Sequence, residues 1–265
     1  MLKSFSLRVS VNVLVIMLLT APVTFAADST AELAKKTQNP IADMISLPLQ
    51  NDWDFDLGPK ENKKSYTLNV QPVIPFSIGE HYTLITRTIV PIKDIELPES
   101  KSGLGDIMQS FFLSPKDSVG GWIVGAGPVF LYPTASDDLL GSEKWAAGPT
   151  AVFLKQNNGW TYGLLANHLW SFAGDDDRAY INSTFLQPFL AYTTKTYTTI
   201  GMNTESTYDW RTEQWTVPIN TAITQLVKVS GRPISLKLGY RYYADAPKDG
   251  PDWGLRFAVT FLFPK

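Results

Sequence analysis

Residues Ile45 to Leu57 read ISLPLQNDWDFDL, and they decide the fold. Ile45, Leu47, Leu49, Trp53, Phe55 and Leu57 fall on one parity. Ser46, Pro48, Gln50, Asp52, Asp54 and Asp56 fall on the other. A period of two is a β-strand with one apolar and one wet face. The same beat returns in Tyr66–Leu68–Val70, in Trp160–Tyr162–Leu164–Ala166, in Ile234–Leu236–Leu238–Tyr240–Tyr242 and in Trp253–Leu255–Phe257–Val259–Phe261–Phe263. About twelve strands follow, near 43–57, 65–76, 82–92, 106–114, 119–132, 144–155, 160–172, 180–193, 197–209, 214–228, 233–244 and 253–263.

Most of these runs are ten residues or longer. Strands of soluble proteins are usually about 5 to 6 residues, whereas a membrane-spanning strand needs about 9 to 11. The links alternate between longer ones (58–64, 93–105, 133–143, 173–179, 210–213, 245–252) and shorter ones (77–81, 115–118, 156–159, 194–196, 229–232). Short periplasmic turns and longer outer loops are the habit of outer-membrane barrels. The chain is therefore expected to be all-β: a transmembrane antiparallel up-and-down β-barrel of about 12 strands, with both termini in the periplasm. The eight tryptophans, Trp53, Trp122, Trp145, Trp160, Trp170, Trp210, Trp215 and Trp253, lie near strand ends. An aromatic girdle at the two interfaces predicts that placement. Pro48, Pro72, Pro75, Pro128, Pro149, Pro188 and Pro218 fall inside strands. Proline cannot donate to a ladder, so bulges are expected there, with facing changes near Pro72–Pro75 and Pro188.

Composition narrows the function classes. The 265 residues include no cysteine and two histidines, which removes disulfide scaffolds, thiolate metal sites and His-rich centres. A net charge of -2 lacks the basic footprint that nucleic acid requires. At the start, Lys3 and Arg8 precede a largely apolar run from Val9 to Thr20, and Thr24 and Ala26 are small residues before a cleavage point. Residues 1–26 read as a signal peptide. Cleavage removes two of the 23 basic residues and none of the 25 acidic ones, leaving -4. No later stretch approaches the roughly 18 to 20 apolar residues of a membrane helix. Residues 27–42 read as a periplasmic N-terminal segment, in which Asp28 or Ser29 caps a short helix through Lys36. A frayed tail is expected there in preference to a plug. Residues 43–265 form the barrel.

Several stretches, taken in order, resemble a known family: NPIADMISLPLQNDWDF, LNVQPVIPFS, GLGDI, GPVFLYPTASDDLLG, GPTAVFLKQ, YGLLANHLWSFAGD, FLQPFLAY, NTESTYDW, WTVPIN and GPDWGLRFAVTFLFPK. They are similar to the outer-membrane proteins named for the MetA pathway of phenol degradation, from about Asn39 to Lys265. The resemblance implies an outer-membrane barrel that transports small solutes, hydrophobic or aromatic compounds among the candidates, in a Gram-negative envelope. It brings no catalytic residues. Asp252, Gly254, Phe257 and Val259 look like the insertion signal read by the barrel-assembly machinery, although the chain ends Phe-Pro-Lys instead of in an aromatic residue. The implied partners are that machinery, outer-membrane lipid and lipopolysaccharide, and a small solute that the residues do not identify.

The wet faces carry the chemistry. Parity turns Asp52, Asp54 and Asp56 inward on the first strand, Lys237 and Arg241 on the eleventh and Arg256 on the twelfth. Closure makes the first and last strands neighbours. Glu205 comes to a similar height and Arg87 sits near mid-depth. Charges inside a spanning segment are costly unless paired or wetted, and rings of charge select what a pore passes. The alternative for the same residues is a structural barrel whose lumen is closed by salt bridges. The acidic loop residues Asp137, Asp138, Asp175, Asp176, Asp177, Asp245, Asp249 and Asp252 read as a solvated rim without calcium-site spacing. A lipid-modifying hydrolase would need a nucleophile beside His168. Ser171 and Ser183 point to the opposite face from His168, and His81 has no partner, so no enzyme, no cofactor and no metal site are expected.

Overall fold

The computed structural model describes residues 30–264. The apolar faces are satisfied by a single sheet that closes on itself. A helix α1 (Thr30–Lys36) precedes β1 (Ile45–Leu57), β2 (Lys63–Val70), β3 (Val73–Ile78), β4 (Tyr82–Ile95), β5 (Lys101–Leu104), β6 (Ile107–Pro115), β7 (Ile123–Tyr132) and β8 (Lys144–Asn157). Then come β9 (Trp160–Gly174), β10 (Asn182–Thr193), β11 (Thr198–Thr204), β12 (Ser206–Asp209), β13 (Gln214–Val229), β14 (Arg232–Asp245) and β15 (Trp253–Phe263). The pairs β2–β3, β5–β6 and β11–β12 each form one interrupted stave. The barrel therefore has twelve staves, all antiparallel to their neighbours, and β1 zips to β15 from Ile45↔Phe263 to Phe55↔Trp253. A closed barrel leaves no sheet edge.

Connections differ between the two ends. The loop end carries 58–62, 96–100, 133–143, 175–181, 210–213 and 246–252. The turn end carries 79–81, 116–122, 158–159, 194–197 and 230–231. The stave expected from residue 119 begins at Ile123, because Val119 and Trp122 close a tight turn over Gly120 and Gly121. Both glycines have positive φ, 59° and 81°, the left-handed backbone that such turns need and that side chains resist.

Outside, the wall is apolar. Ile74, Phe76, Leu113, Phe153, Ile200, Ile223, Leu238 and Phe257 stand exposed. A contiguous exposed apolar belt would be an aggregation hazard in water and is the natural surface in lipid.

The prolines disturb this less than expected. Register is unbroken through Pro48, through Pro75 and Pro188, and across the ladder gap at Gln71–Pro72, so facing does not flip at any of them. Pro128 and Pro149 oppose each other across β7 and β8. The gaps fall on their far sides: pairing lapses between Ser110↔Val129 and Leu113↔Ala126, and between Ala147↔Trp170 and Thr150↔Asn167. Only at Pro218 does the register shift as expected.

The N-terminal segment is packed and not frayed. After α1 the chain turns at Asn39, whose side chain accepts the Ile41 amide at 3.0 Å. Leu33, Ala34, Ala42 and Met44 are buried against Leu226 and Leu262 of the barrel wall. Ile41 enters a second cluster with Val73, Ile85, Phe112, Val152, Leu154 and Leu165. Gln156 ties the helix to β8 by donating to the Lys35 carbonyl at 2.9 Å. The segment thus fills the turn end of the lumen. Its apolar side chains follow neither a strand nor a long helical period, so periodicity alone did not disclose the docking. The proposed signal segment lies outside the described residues.

Candidate functional site: the charged lumen

The inward parity of β1, β14 and β15 meets at the closing seam. Asp52 and Arg256 are direct cross-strand partners, each about 4% exposed. The Arg256 guanidinium donates from Nε to Asp52 Oδ1 at 2.6 Å and from Nη2 to Oδ2 at 3.1 Å. Its other edge grips Glu205, which sits in the gap between β11 and β12, with Nη1 and Nη2 each 2.8 Å from a carboxylate oxygen. One arginine thus joins two carboxylates from staves on different sides of the lumen, with both forks bidentate. That planar geometry is available to arginine and not to lysine. Arg241 supplies a second contact to Asp52, Nη1 to Oδ2 at 3.1 Å, and approaches Asp54 at 3.7 Å. Tyr243 accepts from Arg241 at 2.7 Å and donates to Asp54 at 3.0 Å. Gln50 donates to Asp52 at 2.9 Å.

Two glycines make room for this cluster. Gly254 is opposite both Asp54 and Arg241. A Cβ there would stand 2.5 Å from Asp54 Oδ1 and 2.6 Å from the Trp53 carbonyl oxygen. Gly239 is opposite Arg256, and its Cβ would meet the Thr221 carbonyl oxygen at 3.0 Å.

Next to the cluster lies a cavity of about 230 Å³, floored by the N-terminal segment. Arg87 and Lys237 project to it. Arg87 Nη2 donates to Gln71 Oε1 at 2.9 Å, while Lys237 makes no hydrogen bond or ion pair among the described residues. Gln187, Asn203 and Asn220 add amides, and Val73, Phe189 and Leu262 add apolar wall.

Seven of the eight sequence-derived lumen charges therefore face inward: Asp52, Asp54, Arg87, Glu205, Lys237, Arg241 and Arg256. Asp56 does not join them. It takes a positive φ of 61° at a bulge between Asp54 and Leu57, and its carboxylate accepts the indole N–H of Trp253 at 2.8 Å. The bulge breaks the alternation one step after Asp54, so counting by twos from Asp52 misplaces this residue. Gln71, Gln187 and Tyr243 complete the cluster and were not anticipated, because neutral polar residues at inward parity carry no charge signal.

Six tryptophans, Trp53, Trp145, Trp170, Trp210, Trp215 and Trp253, lie toward the loop end, and Trp122 and Trp160 toward the turn end. They cluster with other aromatics: Phe55 stacks on Trp253 at 4.4 Å, Tyr208 touches Trp210 and Trp215, and Trp122 meets Phe153 and Tyr162 edge-on. Amphipathic rings at both rims are the arrangement of an interfacial girdle.

His168 faces outward, as its parity requires, but it has partners. Its Nδ1 lies 2.7 Å from Thr184 Oγ1 and its Nε2 lies 3.0 Å from Asn182 Oδ1. Trp210 Nε1 donates to the same Thr184 hydroxyl at 2.8 Å. Each bond is satisfied if the Thr184 hydroxyl donates to Nδ1 and the Nε2–H donates to Asn182. Loop-end residues form a separate ionic patch: Lys101 contacts Asp137 at 3.0 Å and Glu99 at 3.3 Å. The Leu139 amide, more than Lys101, holds the Asp137 carboxyl below its ordinary range. Among the described residues no group of three or more acidic, histidine or cysteine side chains is arranged to hold a metal ion.

A closed antiparallel barrel of twelve staves with an apolar wall is the architecture of outer-membrane proteins. Among solved structures the chain is similar to an outer membrane channel from Pseudomonas putida F1, with a TM-score of 0.66 and 15% identity over 92% of this chain and 100% of that one. A weaker likeness, TM-score 0.49 at 13% identity, covers 89% of this chain and 97% of outer membrane phospholipase A from Escherichia coli. No protein-family model and no curated protein matches the chain. The shared feature is the barrel fold.

Proposed function

We propose that this protein is an outer-membrane channel for small solutes. The observation that carries the reading is a closed barrel with a lipid-compatible exterior around a lumen of concentrated charge beside a cavity. Fixed charge of this kind sets the field a solute crosses. The sequence resemblance to the MetA-pathway family and the barrel likeness support the same placement. In this reading the signal segment is cleaved after Ala26, the loops face outward and the N-terminal segment lies in the periplasm. Lipopolysaccharide surrounds the loop end. The test is a planar-bilayer recording of the refolded protein. Discrete conductance steps are expected, and their absence both in the full chain and in a form lacking residues 27–42 would leave only a closed structural barrel.

A second reading rests on the Thr184–His168–Asn182 chain. A hydroxyl, a base and an orienting amide in hydrogen-bond reach are the parts of acyl transfer. Their outward position at the loop-end aromatics would meet lipid esters. Phospholipid hydrolysis that is abolished by Thr184→Val would establish it, and no turnover by the wild-type barrel would remove it.

A further inference from the structure

The cavity beside the charge cluster has a lopsided wall. Lys36, Arg87, Lys237, Arg241 and Arg256 line it, against the single carboxylate Glu205. Asp52 and Asp54, which neutralise Arg241 and Arg256, contact those guanidiniums from the seam and do not line the cavity. Glu205 is itself held by both forks of Arg256. Two cations are left over on the cavity side. Arg87 is bonded to a neutral amide, and Lys237 has no hydrogen-bond or ion-pair partner among the described residues. Unpaired charge in a spanning segment is costly unless something mobile and opposite visits it.

A second feature points to a ligand. Asn220 is 5% exposed and lines the cavity. Its Nδ2 donates to Asn203 Oδ1 at 2.7 Å, and its Oδ1 has no donor. Buried acceptors are normally satisfied, so this oxygen asks for a hydroxyl or amide hydrogen from a guest. Val73, Phe189 and Leu262 supply apolar surface opposite the polar groups.

We propose that the cavity is a binding site for small organic carboxylates bearing a hydroxyl group. Lys237 and Arg87 take the carboxylate, Asn220 accepts the hydroxyl and the apolar wall covers the carbon skeleton. The inference deepens the channel reading by naming its substrate class, and rests on that reading only for its transport role. A site with two cations favours the anion over its neutral amide by charge-assisted hydrogen bonds, each about twice as strong as a neutral one.

Isothermal titration of the detergent-solubilised full barrel with 4-hydroxybenzoate tests this, with 4-hydroxybenzamide as the uncharged control. The acid should bind at least about tenfold more tightly than the amide, as expected for charged against neutral hydrogen bonds. Lys237→Gln should erase most of that preference, and Lys237→Arg should keep it. Lys237 holds no structural bond, so its replacement leaves the fold intact, which an unboiled gel confirms. Arg87→Lys, which keeps the charge, guards against a folding artefact at the second position. Equal affinity for acid and amide, or unchanged acid binding in Lys237→Gln, overturns the site. Binding needs no conduction, so the two readings can fail separately. Tight acid binding in a silent barrel sinks the channel alone. A conducting barrel that ignores the acid sinks this inference alone.

Discussion

Replacing Arg256 with Met removes the centre of the seam. Four hydrogen bonds go, two to Asp52 and two to Glu205. The two carboxylates fare differently. Asp52 retains Arg241 at 3.1 Å and Gln50 at 2.9 Å. Glu205 keeps only a Gln187 contact at 3.5 Å, at the limit of a hydrogen bond. Breaking one member of a buried ion pair costs about 3–5 kcal/mol, chiefly because charge is left uncompensated. With a urea slope of about 3 kcal/mol per molar, the unfolding midpoint should fall by about 1 to 2 M. The same accounting predicts that Asp52→Asn, Glu205→Gln and Arg256→Met together recover most of the loss, since no orphan charge remains. Urea titration of the folded barrel, followed by tryptophan fluorescence, reads both. A midpoint within about 0.3 M of wild type for the single variant, or a triple variant worse than the single, would refute the network as the source of seam stability.

Other outcomes follow from particular contacts. Gly254→Ala should destabilise the barrel by about 1–3 kcal/mol, because its Cβ would overlap Asp54 and the Trp53 carbonyl; thermal unfolding measures it. Ile41→Asp places a charge in the turn-end apolar cluster and should release the N-terminal segment, seen as new protease cleavage between residues 30 and 44 with the barrel intact. The loop contact of Asp137 has a pH sign. Its folded pKa is depressed below the unfolded value near 3.8, so the contribution is present above that value and is lost as pH falls through the folded one. Loop proteolysis should therefore rise at low pH in wild type, and Asp137→Asn should flatten that response.

The sequence carried the staves and their facing. A period of two survives wherever backbone register is continuous, and it was continuous even across Pro48, Pro75 and Pro188. Facing plus antiparallel closure was enough to bring Asp52 opposite Arg256. Three things lay outside that logic. Asp56 escaped through a positive-φ bulge, a backbone event that side-chain alternation does not encode. The N-terminal segment docks by tertiary fit of a few apolar residues, with no repeat to announce it. The partners of His168 were legible as outward-facing residues, but a search restricted to serine passed over the Thr184 hydroxyl.

The seam joins the two ends of the chain, so it doubles as a proofreading device for assembly. In the observed register Arg256 meets Asp52 and Gly254 meets Asp54. A slip of one residue would turn the guanidinium toward lipid, since every side chain changes face. A slip of two in one direction would set Arg256 against Gln50; in the other it would set Asp52 against Ala258. Each wrong alignment strands a charge in a low-dielectric wall, whereas the backbone ladder alone would score them almost equally. The ionic latch converts a nearly degenerate choice among zipper positions into one closing register.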